Sequence, residues 1–425
     1  MLLLIQRPRL DHRRGIAVIG RSLKALAPVV AIVTVACGSS LAAVPAQTKS
    51  IQSKRRSAAH RAVAAIARPA KAIATHAPVS HLTRLASSSR RRTSVHSYVQ
   101  TWTEPTYADS TAGDAVDGED LAVRRAAVSA LGPYNGSVVV ADPNTGRLLA
   151  VVNQKLAYKG GFQPCSTIKL VSALAGLNEG IIDRSTLLRI GRTRSMDLTD
   201  ALAHSNNTFF SNIGEQLGFD RVTHYAKLYG VGEKAALGIP EEDPLPLPTA
   251  PPSDGMGMMT SFGEGFNFSP LQLAALVSAI ANGGTLYYLQ HPHSQQELSQ
   301  FVSRTKRQLD IERWLPDIRP GMMGAVEYGT ARRASFDQTQ PILGKTGTCT
   351  DVRSPIHLGW FGSYNEIGQN KLVVVVLLTG GGGVNGSVAS GVAGSVYRNL
   401  SEEGYFGQSR TISPLALMST QFYGQ

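Results

Sequence analysis

Cysteine, tryptophan and, over the first 98 positions, acidic residues are scarce in this 425-residue chain. There are three cysteines (37, 165, 349), three tryptophans, and one acid, Asp11, among 17 Lys+Arg in residues 1–98. The formal charge of +12 therefore belongs to the N-terminal tail, because residues 99–425 hold 25 Lys+Arg against 29 acids. A slightly acidic body with few aromatic platforms excludes a basic stacking groove, and so a nucleic-acid partner. No His/Cys/Asp/Glu cluster has metal-ligand spacing, and no cofactor is implied. A phosphate loop is excluded as well: the GKT at 344–346 would need a glycine where Thr339 stands. Internal repeats are lacking. The apolar run near the N-terminus, ALAPVVAIVTVAC (25–37), falls short of the ~20 residues that span a bilayer.

That run follows Arg7, Arg9, Arg13, Arg14, Arg21 and Lys24 and precedes the small residues SSLAAVPAQ, the order of an export signal. Extended over 26–46 it contains no charge, so residues 1–46 fit a cleaved signal and an uncleaved membrane anchor alike. Positive charge retained on the cytoplasmic side puts the remainder in an extracytoplasmic, periplasmic compartment, with the N-terminus touching the cytoplasmic membrane. Residues 47–133 are read as a basic Ala/Ser/Arg-rich linker followed by a transitional segment, 134–405 as the catalytic domain and 406–425 as a tail.

Within the body, GSVVVADPNTGRLLAVVN reads as two strands around the turn at 142–146. Helical periodicity starts at Ser166, with Ile168, Leu170, Val171, Leu174 and Leu177 on neighbouring turns, and helices dominate to about 290. A loop rich in proline, 238–252, interrupts them, and 291–319 is polar and hard to place. Strands return at PILGKTGTC, HLGWFGSYN and KLVVVVLLT, and GSVASGVAGSVYRNL closes the body as a helix. Strands at both ends with helices between predict an α/β (α+β) fold: an antiparallel central sheet flanked by helices, beside an all-helical subdomain.

Three short motifs carry the chemistry: Ser166-Thr167-Ile168-Lys169, Ser205-Asn206-Asn207 and Lys345-Thr346-Gly347-Thr348. A serine hydroxyl is a weak nucleophile without an adjacent base. A lysine three residues on shares its helical face and serves as that base once burial and a second cation lower its proton affinity. Lys345 supplies such a cation. The same Ser-x-x-Lys spacing at Ser303 and Lys306 follows the SNN motif and fails the order. His204 beside Ser205 reads as a helix-surface residue, and TGGGGV (379–384) as a strand-to-helix connection.

With these motifs in this order, 136–400 resembles the transpeptidase domain of penicillin-binding proteins within the serine β-lactamase superfamily. LTDALAHSNNTFFSNIGEQLG, SFGEGFNFSPLQLAALVSAIANGGT and GMMGAVEYGTARRA before GKTGT extend the likeness. The resemblance implies Ser166 as acylated nucleophile, Lys169 as its base and Ser205 as proton relay to the leaving amine. Asn207 holds Lys169 and the substrate amide, Lys345 supplies positive potential, and Thr346, Gly347 and Thr348 belong to the substrate-binding strand. The amides of Ser166 and Thr348 form the implied oxyanion hole. The implied substrate is the D-alanyl-D-alanine terminus of a peptidoglycan stem peptide, with β-lactams as covalent inhibitors and a cell-wall synthesis complex as partner.

Three features depart from the pattern. Only 13 positions separate Asn153 from Ser166, no large pedestal domain precedes the body, and Glu264 stands where many relatives carry glutamine. These keep a β-lactamase, class D-like or class A-like, and a β-lactam sensor or wall-assembly scaffold as alternatives. The pair Cys165 and Cys349 resembles the active-site disulfide of class A carbapenemases, which implies a bridge between them.

Overall fold

The computed structural model describes residues 103–351, 355–368 and 370–407. The export or anchor segment 1–46, the linker to residue 102, Cys37 and the tail from 408 lie outside the described residues. Among those described, no helix is long and apolar enough to cross a membrane.

Order starts earlier than the composition suggests. The stretch 103–133, grouped on sequence with the linker, carries helix α1 (Leu121–Leu131), which packs on the body. Asp114 accepts hydrogen bonds from the amides of Asn153 (2.9 Å) and Gln154 (2.8 Å), and Arg124 donates to it at 2.7 Å. These charges are internal ties rather than solvated linker polarity.

β1 (Gly136–Ala141) and β2 (Leu148–Val152) form the hairpin read from sequence. The Asp142 carboxylate accepts the Asn144 amide at 2.9 Å, and Gly146 takes φ 75°, which glycine tolerates without strain. α2 (Gln154–Tyr158) follows, then a 3-10 turn, Cys165–Ile168, running straight into α3 (Lys169–Asn178). The two-residue strands β3 (Leu188–Arg189) and β4 (Ser195–Met196) precede α4 (Leu198–Ala203) and α5 (Asn207–Leu228). Gly218, at φ 73°, breaks α5 into two pieces, as the separate runs before and after it imply.

β5 (Ala236–Leu237), α6 (Met256–Phe262) and α7 (Pro270–Asn282) come next. The polar region after residue 290 resolves into α8 (Gln295–Ser299) and β7 (Arg304–Gln308), the latter paired with β6 (Thr285–Gln290). α9 (Leu315–Glu327), β8 (Ile342–Asp351), β9 (Ile356–Asn365), β10 (Val373–Gly380) and α10 (Gly386–Glu402) complete the order.

The main sheet is antiparallel throughout, in the order β2-β1-β10-β9-β8. Both faces are covered. Val373, Val375 and Leu377 of β10 enter one core with α7, whereas Val374, Val376 and Leu378 enter the other with α1 and α10. Burial on two sides explains a continuous apolar run in place of alternation. α7 is buried from Pro270 to Ala281, as a helix apolar all round must be, and a Ser269/Gln272 capping box starts it. Helices α3, α4, α5, α6 and α9 pack as a separate layer beside β8, so the edge of the sheet and the helical layer face one another.

Candidate active site

The first motif sits where the chain turns into α3. Because the turn is 3-10 rather than α-helical, residues three apart nearly eclipse, and Lys169 Nζ lies 3.0 Å from Ser166 Oγ. Cys165, just before the serine, has a left-handed φ of 52°, and Ser205 in the second motif has φ 55°. Such backbone in non-glycine residues costs about 1–3 kcal/mol, so the packing around it must hold it in place. Ser205 occupies the elbow between α4 and α5. Asn206 caps α5 through its side chain (2.9 Å to the Phe209 amide), which turns Ser205 and Asn207 towards the first motif.

Lys169 Nζ has four near neighbours: Ser166 Oγ at 3.0 Å, Ser205 Oγ at 3.0 Å, the Ser205 carbonyl at 2.8 Å and Asn207 Oδ1 at 2.6 Å. The last two only accept. A neutral amine has two protons and one lone pair, so donating to both acceptors leaves the lone pair for a hydroxyl. Burial, and then the nearby Lys345 ammonium, hold the Lys169 pKa well below the lysine range. The rings of Phe210 and Phe262, 5.7 and 6.0 Å from Nζ, form part of that dry surrounding. Lys345 Nζ donates to Ser205 Oγ at 2.8 Å and to the Thr346 carbonyl at 3.0 Å, and its burial pushes its pKa down to about 7. The arrangement can lift a proton from Ser166 and pass it along Ser205.

Facing these groups is β8. It has one strand neighbour, β9, and its other edge looks onto the 3-10 turn. A cleft of about 370 Å³ lies between, lined by Ser166, Ser205, Asn207, Phe262, Thr330, Thr346, Thr348, Asn385 and Ser387. Gly347 allows the close approach, since a Cβ there would meet the Pro164 carbonyl at 3.0 Å and Trp360 Cβ at 3.1 Å. Cys165 and Cys349 are joined by a disulfide with Cα atoms 5.6 Å apart, which clamps the turn to the strand. Among the described residues no group of three or more His, Cys, Asp or Glu is placed to hold a metal ion.

The match to known proteins agrees with this geometry. Residues 136–402, more than half of the chain, fit the penicillin binding protein transpeptidase domain. The chain belongs to that family. Stage V sporulation protein D of Bacillus subtilis (strain 168) is 26% identical over 284 residues, 59% of this chain and 44% of that protein. Peptidoglycan D,D-transpeptidase MrdA of Haemophilus influenzae is 24% identical over 354 residues, 64% of this chain and 54% of that one. The chain thus spans about half the length of these relatives. The solved structure of PBPA from Mycobacterium tuberculosis matches with a TM-score of 0.56 at 20% identity, covering 66% of this chain and 81% of that one. The transpeptidase domain of a peptidoglycan glycosyltransferase from Eggerthella lenta gives 0.53 at 18%, covering 67% and 82%. Both show the β-lactamase-like fold.

Four cleft residues of this penicillin-binding protein had no signal in spacing: Phe262, Thr330, Asn385 and Ser387. The decoy pair is elsewhere. Lys306 lies on β7, ion-paired with Glu233 at 2.8 Å. His204 is exposed, its ring 5.5 Å from that of Tyr328. The glycine run after β10 is the connection into α10.

Proposed function

We propose that this chain is a serine D,D-transpeptidase that takes the D-alanyl-D-alanine end of a peptidoglycan stem peptide, forms an acyl-enzyme on Ser166 and passes the acyl group to an amine. The observation that carries the reading is the placement of Lys169 Nζ 3.0 Å from the hydroxyls of both Ser166 and Ser205. Ser166 attacks the carbonyl carbon while Lys169 takes its proton. The proton travels through Ser205 to the departing D-alanine amine, and Lys345 steadies the negative charge. Thr346 and Thr348 receive the terminal carboxylate, and the amides of Ser166 and Thr348 receive the oxyanion. Export by the N-terminal segment, tethering at the membrane and recruitment to a wall-synthesis complex belong to the same reading.

The test is covalent labelling of the full chain by a fluorescent penicillin: the wild type is labelled and Ser166→Ala is not. An unlabelled wild type sinks the proposal. The Cys165–Cys349 bridge favours a second reading, a β-lactamase. That reading predicts sustained nitrocefin turnover, whereas a transpeptidase stalls as an acyl-enzyme.

A further inference from the structure

The glycine run that leaves β10 ends at the cleft. Gly380, Gly381, Gly382 and Gly383 are followed by Val384 and then by Asn385 and Ser387, which line the cleft at the start of α10. Glycine has no side chain to pack and loses more backbone freedom on ordering than any other residue. Four in succession therefore need fixing from outside. Gly381 is held on both sides: its carbonyl accepts the Val384 amide at 3.0 Å, and its own amide donates to Thr106 Oγ1 at 3.0 Å.

Thr106 lies ahead of residues 136–402, the stretch that fits the transpeptidase domain. It is itself pinned to the body. Its carbonyl accepts the Asn135 amide at 2.9 Å, the Asn135 side chain donates to the Pro105 carbonyl at 3.0 Å, and the Asn135 carbonyl accepts the Thr379 amide at 2.9 Å. Gly380 makes room for this strap: a Cβ there would lie 2.6 Å from Thr106 Cα, and its φ of 145° favours glycine. Downstream, the first turn of α10 fits tightly on the sheet. The Gly386 amide donates to Thr348 Oγ1 at 2.8 Å, and a Cβ on Gly359 would lie 2.5 Å from the Asn385 carbonyl. With so little clearance, the direction in which the glycines enter α10 decides where the Asn385 and Ser387 side chains sit.

We propose that Thr106 is a positioning residue for the cleft: through the Gly381 amide it fixes the entry into α10, and so sets the wall that Asn385 and Ser387 present to the acyl donor. The stretch ahead of the transpeptidase domain then completes the site instead of only leading to it. Ser166, Lys169 and Ser205 stand on the 3-10 turn, on α3 and at the elbow between α4 and α5, away from this contact. The effect therefore falls on binding of the acyl donor and not on bond making. The inference rests on the acyl-transfer reading above and adds to it a residue outside the three motifs.

The experiment follows stopped-flow acylation of the full chain by benzylpenicillin over a range of concentrations. Thr106→Val keeps the shape and removes the hydroxyl. The half-saturating concentration should rise about 3- to 10-fold, the scale of one net hydrogen bond, while the limiting rate moves less than about twofold. Thr106→Ser should recover the wild-type value. Gly380→Ala, whose Cβ pushes the Thr106 backbone away, should give the same split. Ser110→Ala is the control, because the Ser110 hydroxyl donates to the Tyr134 carbonyl at 2.8 Å and accepts the Gly136 amide at 3.3 Å. It holds the same strap without touching the glycines, so its loss should leave half-saturation in place whatever it does to the melting temperature. A half-saturating concentration unmoved in Thr106→Val, or moved equally in Ser110→Ala, overturns the inference while leaving acyl transfer intact. A wild type that benzylpenicillin does not acylate overturns both.

Discussion

Ser205 Oγ lies 3.0 Å from Lys169 Nζ and 2.8 Å from Lys345 Nζ, so a single hydroxyl bridges two buried amines. Among the described hydrogen bonds it touches both amines, and so offers a proton a path from one side of the cleft to the other. Replacing it with alanine should lower acylation by penicillin by roughly 10²-fold or more, the usual scale of a lost proton-transfer partner. Melting temperature should hold, since the elbow backbone is fixed by its own hydrogen bonds. Stopped-flow acylation of Ser205→Ala checks this, and a rate within threefold of wild type would remove the relay.

The two amines set the pH profile. On the proposed acyl-transfer reading acylation needs Lys169 neutral, and its proton affinity is lowered first by burial and then by Lys345. The same reading has Lys345 act as a cation, and burial brings its pKa down to about 7. The rate should climb as Lys169 loses its proton and decline as pH passes about 7 and Lys345 loses its own. In Lys345→Met the repelling charge is gone, so the rising limb should shift to higher pH, while burial still keeps it below the ordinary lysine range. A rising limb that stays in place would mean the two amines do not interact.

The disulfide joins positions 184 apart in sequence. A bridge typically stabilises by about 2–4 kcal/mol, which corresponds to roughly 4–8 °C in a body of this size. Reduction should lower the melting temperature by that amount and slow acylation, because the nucleophile's turn is then no longer clamped to β8. The Cys165→Ser/Cys349→Ser variant should start at the lower value and ignore reductant. Identical melting of oxidised and reduced protein would assign the bridge no structural role.

Much of this was legible in the sequence because it rests on short-range order. Ser166 and Lys169 are three apart, Ser205 and Asn207 flank an N-cap, and the sheet announces itself in VVVVLL because both its faces are buried. What stayed hidden reaches the cleft by tertiary packing. Thr330 follows a two-residue stretch after α9, and Asn385 and Ser387 straddle the start of α10, all with side chains common in loops. The segment from 103, read only as transitional, was silent for another reason. Asp114, Glu119 and Arg124 look like surface charge, yet they satisfy one another and the hairpin backbone in the interior. A polar composition cannot distinguish a solvated carboxylate from one that ties two elements together.

The decoy supplies a control. Lys306 pairs with Glu233 at 2.8 Å and donates to the Lys234 carbonyl at 2.8 Å, on a strand of the small sheet. Lys306→Met should leave acylation unchanged, while stability falls because a largely buried ammonium paired with Glu233 is removed. A lost acylation rate would mean that the assignment of the base to Lys169 is wrong.

The lifetime of the acyl-enzyme separates transfer from hydrolysis. A hydrolase must activate water beside the ester, and the nine cleft-lining residues include no carboxylate. Glu264 is the acid with most claim to that task. It does not line the cleft, its Oε2 is buried without a hydrogen-bond partner, and burial, then Asp254, raise its pKa. A raised pKa makes a carboxylate the stronger base, so what keeps Glu264 from that task is its place outside the cleft lining. Among the described residues the cleft lining thus places no carboxylate beside the ester to activate water, and on the acyl-transfer reading the ester waits for an amine. The benzylpenicilloyl enzyme should therefore persist for many minutes, and Glu264→Gln should leave that lifetime unchanged. Rapid deacylation in the wild type, abolished by Glu264→Gln, would instead make the protein a β-lactamase with Glu264 as its base.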